Sequence, residues 1–220
     1  MKFQIRLKKY FLNTFLAFLL LANFSYAKTK NASRSTPKVS AKSETVTIVK
    51  ILDGDTYDLS DGRRVRMLGI DTPEKGEPYA DSARNLANSF LKGKQVTIDF
   101  EKNQKDRYDR YLVYLHFQGI LVNKLFLERG FARLYLFSGT RRYNSELITA
   151  QKLAREQKIG IWSLPEPDRE PFYIFSSGSY RFHRPLCPLI KNINPKKAKR
   201  YKTRDAALDA GLSPCRECRP

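Results

Sequence analysis

The chain has 220 residues, with 41 Lys and Arg against 22 Asp and Glu, so its formal net charge is +19. The length predicts one domain, or one domain with a small appendage. Hydrophobic residues at 41% and aromatic residues at 12% exclude wholesale disorder, and 11 Gly and 11 Pro exclude a collagen-like or low-complexity chain. The positive charge favours a polyanionic partner, either nucleic acid or an anionic membrane surface, although a merely soluble basic protein can have the same charge.

The N-terminal residues 1–27 have the pattern of a secretory signal peptide. They begin with four basic residues and no acid, continue through an apolar run over residues 10–24, and end in Ser25-Tyr26-Ala27, which resembles a cleavage site. The densest apolar stretch, residues 15–21, is too short to span a bilayer as a relaxed helix. We therefore expect a soluble, exported protein, secreted or periplasmic, and the alternative is an uncleaved membrane anchor.

Residues 28–43 contain five basic residues, no acid and almost no large apolar side chain. Such a segment cannot bury enough surface to offset the entropy cost of ordering it. We expect a flexible basic leader.

Residues 44–165 have the pattern of a small barrel. Alternating or β-branched runs predict strands over residues 45–52, 64–70, 95–100, 111–117 and 131–137. Helical spacing of apolar residues predicts helices over residues 81–91, 121–129 and 143–158, with glycines at 130 and 160 as stops. Five or so short strands with about three helices favour an α+β, mainly β fold, an OB-like five-stranded barrel, over a parallel sheet.

Acidic residues stand at the turns of this predicted barrel. Asp55 and Asp71 follow strand ends, with Asp53 and Glu74 close to each in sequence. Carboxylates crowded at one end of a barrel repel each other unless a cation neutralises them, and oxygen ligands suit Ca²⁺ or Mg²⁺. The alternative is that these residues only form turns. Arg66 shares a strand face with apolar residues, so it must reach solvent or an anion.

Four blocks of this region resemble the staphylococcal (micrococcal) nuclease, or thermonuclease-like, family. In family order they are Asp53-Gly54-Asp55-Thr56, residues 66–74 (RMLGIDTPE), residues 106–110 (DRYDR), and residues 121–123 (LVN) with residues 130–132 (GFA). The resemblance implies an OB-fold endonuclease that depends on calcium. It further implies cleavage of DNA and RNA with little sequence preference, leaving 3′-phosphate ends.

The resemblance also implies roles for individual residues. Asp55, Asp71 and the backbone carbonyl of Thr72 would hold Ca²⁺, and Glu74 would orient or deprotonate the attacking water. Arg66 and Arg110 would bind the phosphate and stabilise the charge that develops in the transition state. Because all five side chains expected for the chemistry are present, the enzyme is favoured over a non-catalytic nucleic-acid-binding or surface-binding protein built on the same barrel.

Two tyrosines are the expected contacts to substrate, and two positions depart from the family pattern. Tyr108 would hydrogen-bond a phosphate near the cleaved bond, whereas Tyr135 would either stack on a base or only pack in its strand. Asp109 replaces the usual Gly beside Arg110; Asp tolerates left-handed backbone, but its charge could slow the reaction. Tyr57 replaces an aliphatic residue, which we interpret as a packing variation.

Residues 166–171 form a polar, proline-containing linker, and residues 172–220 form a second module. This module contains the set His183, Cys187, Cys215 and Cys218, which is a complete tetrahedral zinc set, and a helix is predicted over residues 205–210. A piece of this size needs a metal or a similar staple to form a stable core. The segment also resembles the Ada-type metal-binding domain. The alternative, favoured by export, is one disulfide with a spare thiol.

The surplus charge is unevenly distributed. Residues 44–171 carry 21 basic and 19 acidic residues, only +2, whereas residues 172–220 carry 11 basic and 3 acidic residues, hence +8. The C-terminal module therefore predicts salt-sensitive attraction to nucleic acid or to an anionic cell surface. We expect a monomer.

Overall fold

The computed structural model describes residues 43–137, 142–176, 179–194, 196 and 198–220. The predicted signal peptide and all of the predicted leader except Ser43 lie outside the described residues. Within these ranges, no helix has the length and apolar character needed to cross a membrane.

A closed barrel of five strands forms the centre of the molecule. Its strands are β1 (Ser43–Ile51), β2 (Thr56–Leu59), β3 (Arg64–Met67), β5 (Gln95–Lys105) and β6 (Tyr111–Phe117). They are hydrogen-bonded in the order β3-β2-β1-β5-β6, and a parallel pairing of β3 with β6 closes the barrel. The two-residue strand β7 (Ile120–Leu121) pairs with β6. This architecture confirms the predicted five-stranded OB barrel, but β2 was not among the predicted strands, and the strand predicted over residues 131–137 is not part of the barrel.

The predicted strand over residues 64–70 is in fact two strands. The chain turns at Gly69, where φ is +74°, and β4 (Gly69–Asp71) leaves the barrel to pair antiparallel with β8 (Arg133–Tyr135). A buried amide stabilises this turn, because Asn123 Nδ2 donates to the Leu68 carbonyl at 2.8 Å. As a result Asp71 lies beside the barrel opening instead of continuing along its wall.

Three helices cover the barrel: α1 (Ala80–Leu91), α2 (Val122–Glu128) and α3 (Asn144–Glu156). Their buried faces pack on a core that includes Ile48, Tyr57, Met67, Ile98 and Phe126. Each helix lies within two residues of its predicted bounds, because apolar residues at helical spacing provide the buried face.

The backbone after α2 crosses the backbone after α3 at two glycines, Gly130 and Gly160. The Gly130 carbonyl accepts a hydrogen bond from the Ile161 N–H at 2.9 Å. A Cβ on Gly130 would lie 2.1 Å from the Ile159 carbonyl oxygen, so only glycine fits at this crossing. A 3-10 helix (Gly160–Ser163) follows.

The C-terminal segment forms its own sheet of four strands: β9 (Tyr173–Ser176), β10 (Arg181–His183), β11 (Ala198–Tyr201) and β12 (Ser213–Pro214). They are hydrogen-bonded in the order β11-β9-β10-β12. A 3-10 helix (Pro188–Ile190) and α4 (Arg204–Asp209) lie between the strands in sequence. The segment also contacts the rest of the fold directly: Ser213 Oγ donates to the Leu134 carbonyl of β8, and Arg155 of α3 pairs with Asp209 at 2.6 Å. All described residues belong to one compact unit.

Candidate active site

Asp55 is buried at the barrel opening, with only 5% of the residue exposed. Its Oδ2 accepts hydrogen bonds from the backbone N–H and the hydroxyl of Thr72, at 3.1 and 3.2 Å, and its Oδ1 accepts one from the Thr56 hydroxyl at 3.0 Å. Gly54 makes this close approach possible, because a Cβ there would lie 2.8 Å from the Thr72 side chain. The turn thereby places Asp55 and Thr72 in direct contact.

Arg66 joins the two predicted calcium-binding carboxylates. Its Nη2 lies 3.3 Å from Asp55 Oδ2 and 2.9 Å from Asp71 Oδ1, and its Nη1 donates to the carbonyls of Met67 and Ile70. The residue is 8% exposed, so Arg66 is a largely desolvated cation that both carboxylates share. Of the two outcomes that the sequence left open for Arg66, solvent or an anion, the structure shows contact with anions.

Asp53 adds a third carboxylate at this end of the barrel. Burial, together with the charge of Asp55, raises the pKa of Asp53 above its ordinary value. Asp53 Oδ1 accepts the Asp55 backbone N–H at 2.9 Å, which places this carboxylate beside the Asp55–Arg66–Asp71 cluster. A divalent cation would relieve the repulsion among these carboxylates, and Ca²⁺ prefers oxygen ligands. The donor set therefore fits calcium.

Arg110 is positioned by the turn between β5 and β6. Asp106 accepts hydrogen bonds from the Arg110 backbone N–H at 3.1 Å and from its Nε at 2.8 Å. Arg110 Nη1 then lies 3.4 Å from the Thr56 hydroxyl, which itself contacts Asp55. The structure thus brings Arg110 to the same opening as the carboxylates.

Asp109 adopts the left-handed conformation, with φ of +62°, as the sequence prediction allowed. Its carboxylate pairs with Lys105 at 2.6 Å. The charge of Asp109 is therefore directed to Lys105, which neutralises it locally.

Glu74 is exposed and has a partner that the sequence analysis did not foresee. Arg216, from the C-terminal segment, lies 2.7 Å from Glu74 Oε1 and 2.6 Å from Asp71 Oδ1. Burial opposes the charged form of Arg216, but the hydrogen bond and charge of Asp71, followed by Glu74, outweigh it and raise its pKa. No local sequence signal marks Arg216, since it lies 145 residues from Asp71.

The two predicted substrate tyrosines have different surroundings. Tyr108 is 64% exposed, and the guanidinium carbon of Arg110 lies 5.3 Å from its ring centroid. Tyr135 lies between two arginines, with Arg181 at 4.4 Å and Arg66 at 5.9 Å from its ring centroid. Tyr108 is therefore open to a ligand, whereas Arg181 covers part of Tyr135.

Tyr57 is the second position that departs from the family pattern. Its side chain is fully buried, and its hydroxyl donates to the Gly54 carbonyl at 2.7 Å.

The structure brings His183, Cys187, Cys215 and Cys218 together, with ligand atoms all within 4.8 Å of one another. Burial, followed by the charge of Arg181, lowers the pKa of His183, which keeps the imidazole in its neutral, metal-binding form. Burial raises the pKa of Cys218 to about 12. Because a bound cation would favour the thiolate, the cluster fits a tetrahedral site for a soft or borderline metal.

A closed OB barrel with carboxylates and arginines at one opening defines the class, and comparison with known proteins agrees with it. The family profile described as "Staphylococcal nuclease homologue" matches residues 64–164. The thermonuclease of Staphylococcus hyicus is 28% identical over 156 residues, covering 67% of this chain and 92% of the relative.

Two further relatives extend the comparison. An uncharacterized endonuclease of Escherichia coli O157:H7 is 36% identical over 126 residues, covering 54% of this chain and 78% of the relative. The thermonuclease of Staphylococcus intermedius is 29% identical over 130 residues, covering 55% and 77%. The chain belongs to the staphylococcal nuclease family and, by that membership, is a nuclease.

Proposed function

We propose that this protein is an exported, calcium-dependent endonuclease that hydrolyses phosphodiester bonds of DNA or RNA and leaves 3′-phosphate ends. The observation that carries the proposal is the Asp55–Arg66–Asp71 cluster, in which two carboxylates share one buried guanidinium at 2.9 to 3.3 Å. Arg110 approaches the same cluster through Thr56. The predicted signal peptide supports export.

In the proposed reaction, Arg66 and Arg110 bind the oxygens of the phosphodiester and stabilise the charge that develops on them. Glu74, whose carboxylate is exposed at the opening, accepts a proton from the attacking water. The water oxygen bonds to phosphorus while the bond to the 5′ oxygen breaks. The departing 5′ oxygen takes a proton from solvent and becomes a hydroxyl, and the phosphate remains on the 3′ side. Bound at Asp55, Asp71 and the Thr72 carbonyl, calcium would neutralise charge on the phosphate.

The test is cleavage of plasmid DNA and of a structured RNA by the purified mature chain, with calcium or with a calcium-selective chelator. We expect cleavage only with calcium, and products that accept radiolabel at the 5′ end without prior phosphatase treatment. Cleavage that persists in chelator contradicts the calcium assignment. Absence of cleavage with calcium contradicts the enzyme itself, and leaves a nucleic-acid-binding protein.

The Glu74→Gln variant tests the proposed base. The substitution keeps size and hydrogen bonding but removes the acceptor charge, so we expect kcat to fall by roughly 10² to 10⁴. Calcium affinity, measured by calorimetry, should change little. A variant that retains full kcat contradicts the role of Glu74.

We also propose that His183, Cys187, Cys215 and Cys218 hold a structural Zn²⁺. Their mutual approach within 4.8 Å supports this proposal. Native mass spectrometry of the purified protein should give one zinc per chain. Titration with a thiol-reactive reagent should find no free thiol until a chelator is added. Three free thiols without metal, or one disulfide, contradict it.

A further inference from the structure

A cavity of about 430 Å³ lies directly beside the proposed catalytic carboxylates. One wall comes from the barrel side, namely the stretch from Asp71 to Pro78 and strand β8, and the other comes from the C-terminal segment. The nuclease family match ends at residue 164, so residues beyond the matched region build half of this cavity.

Most of the charged residues that line this cavity are arginines. The lining contains three acidic residues, all on the stretch from Asp71 to Glu77. It also contains five arginines: Arg133, Arg181, Arg204, Arg216 and Arg219. Three of the five are engaged with acidic residues of that stretch: Arg216 with Asp71 and Glu74, Arg181 with Asp71 at 3.9 Å, and Arg219 with Glu77 at 3.9 Å.

Arg133 differs from these three. Among the residues that the structure describes, its side chain has no hydrogen bond and no ion pair. Burial lowers its pKa, although the charges of Glu77 and Asp71 oppose this shift. The neighbouring Arg204 donates from Nε to the Pro220 carbonyl oxygen at 3.0 Å. The Arg133 guanidinium is therefore the lining arginine that is left to bind an incoming anion directly.

Arg216 connects this positive cavity to the reaction site. Arg216 lies in the turn between Cys215 and Cys218, which both belong to the Cys/His cluster. The cluster therefore fixes the backbone on both sides of Arg216. Its side chain is 54% exposed, which leaves the guanidinium free to change partner. A cation bound by Asp71 would compete with Arg216 for that carboxylate, and the released guanidinium would face the cavity.

From this geometry we propose that the cavity is a second phosphate subsite of the nuclease, in which Arg133 and Arg216 bind a nucleic-acid backbone phosphate that neighbours the cleaved bond. The subsite rests on the proposed nuclease function. Planar guanidiniums suit phosphate oxygens because they donate paired N–H groups. The Cys/His cluster acts as a positioning element, since it fixes the turn that carries Arg216.

The test compares substrates that differ by one phosphate. The short substrate is the dinucleoside monophosphate TpT, which has only the bond to be cleaved. The longer ones are trinucleotides with one further phosphodiester on either the 5′ or the 3′ side. All substrates are assayed at saturating calcium. Under this condition, a change in calcium affinity caused by the loss of Arg216 from Asp71 does not affect the comparison.

We expect the wild-type protein to favour one of the two trinucleotides over TpT by at least about tenfold in kcat/KM, the gain from one charge-assisted contact. Arg216→Ala and Arg133→Gln should each lose most of that preference, measured within each variant as the ratio of kcat/KM for the trinucleotide to kcat/KM for TpT, with the loss appearing in KM. The matched control is Arg64→Ala, since Arg64 is a half-exposed arginine paired with Asp58 that does not line the cavity.

Binding gives a readout that is independent of turnover. Both proteins are compared in a Glu74→Gln background, which blocks cleavage. A plot of the logarithm of the binding constant for a single-stranded oligonucleotide against the logarithm of the salt concentration should have a slope that is shallower by about 0.7 in Arg216→Ala than in the parent. Far-UV circular dichroism and the melting temperature check that each variant is folded; if Arg133→Gln is not, Arg216→Ala carries the test.

Two results overturn the proposal. One is an unchanged preference and salt slope in both variants; the other is a kcat that rises in Arg216→Ala, which would make Arg216 an inhibitor of the site. Failure of the proposed function is distinguishable from both, because the wild-type protein would then not cleave TpT or any longer substrate with calcium.

Discussion

Arg66 is the residue on which the arrangement of the site depends. It is 8% exposed, contacts Asp55 and Asp71, and donates to two backbone carbonyls. Desolvation of a buried ion cluster can cost as much as its mutual attraction gains, but removing one member leaves buried charges uncompensated. Arg66 therefore holds the two carboxylates in place, in addition to its proposed role in binding the phosphate.

We predict that Arg66→Leu lowers the free energy of unfolding by about 3 kcal/mol in the absence of calcium, because the buried Asp55 then loses its ion-pair partner, whereas Asp71 keeps Arg216. Calcium should restore part of this loss, since a cation between the carboxylates replaces the missing charge. Urea denaturation with and without calcium measures both effects.

The matched control for this prediction is Arg64→Leu on the same strand. Its ion pair with Asp58 is solvent-exposed, so we expect a loss of less than about 1 kcal/mol. Equal stability of the two variants would contradict the structural role of Arg66.

At the scale of elements, two connections position the site. The break between β3 and β4 turns Asp71 toward Arg66, and the crossing at Gly130 and Gly160 fixes α3 beside β8. Turns of this kind are specified locally by glycine and its left-handed backbone, which explains why the sequence motif contains Gly69 and Gly130.

The crossing predicts an unequal response to alanine at two glycines that both have positive φ. Gly130→Ala should lower the free energy of unfolding by roughly 3 kcal/mol or more, because a Cβ there would lie 2.1 Å from a backbone oxygen that cannot move aside. Gly62→Ala, at φ of +85° with open space around it, should cost only about 1 to 2 kcal/mol. Urea denaturation compares them, and equal losses would show that backbone conformation alone sets the cost.

At the scale of the whole molecule, the C-terminal segment is an integral part of the described fold. It has a small core of its own, formed by Tyr173, Phe182, Leu208 and Leu212, and it contacts β8 and α3. So small a core is marginal without additional stabilisation, which the Cys/His cluster can provide through a metal.

We predict that removing the proposed zinc from the Cys/His cluster loosens the C-terminal segment and leaves the barrel folded. With a strong zinc chelator, backbone amides of β9 to β12 should exchange with deuterium much faster, whereas those of β1 to β6 should keep their protection. Hydrogen exchange followed by mass spectrometry measures this. A Cys187→Ser variant should behave like the chelated wild-type protein, and uniform loss of protection across the barrel would contradict the prediction.

The barrel, its helices and the nuclease motifs could be predicted from the sequence because their signals are local. Apolar spacing defines α1 and α3, and the Asp53–Asp55 turn and the Asp106 turn each hold their site residue through contacts within a few positions. The break at Gly69 was missed, since Leu68 and Ile70 on either side keep the alternation typical of one strand. Long-range pairing with β8, and not local propensity, decides that break.

The sequence by itself determined the fold class, the family, and the residue types at the reaction site. It also determined the Cys/His set, because metal ligands have recognisable identities and spacings. Only the tertiary structure decided that Arg216 contacts Asp71 and Glu74, and that the Arg133 side chain has no hydrogen-bond or ion-pair partner among the described residues in the cavity beside them. The physical reason is sequence separation: a contact across 145 residues depends on how two segments pack, and neither segment alone encodes it.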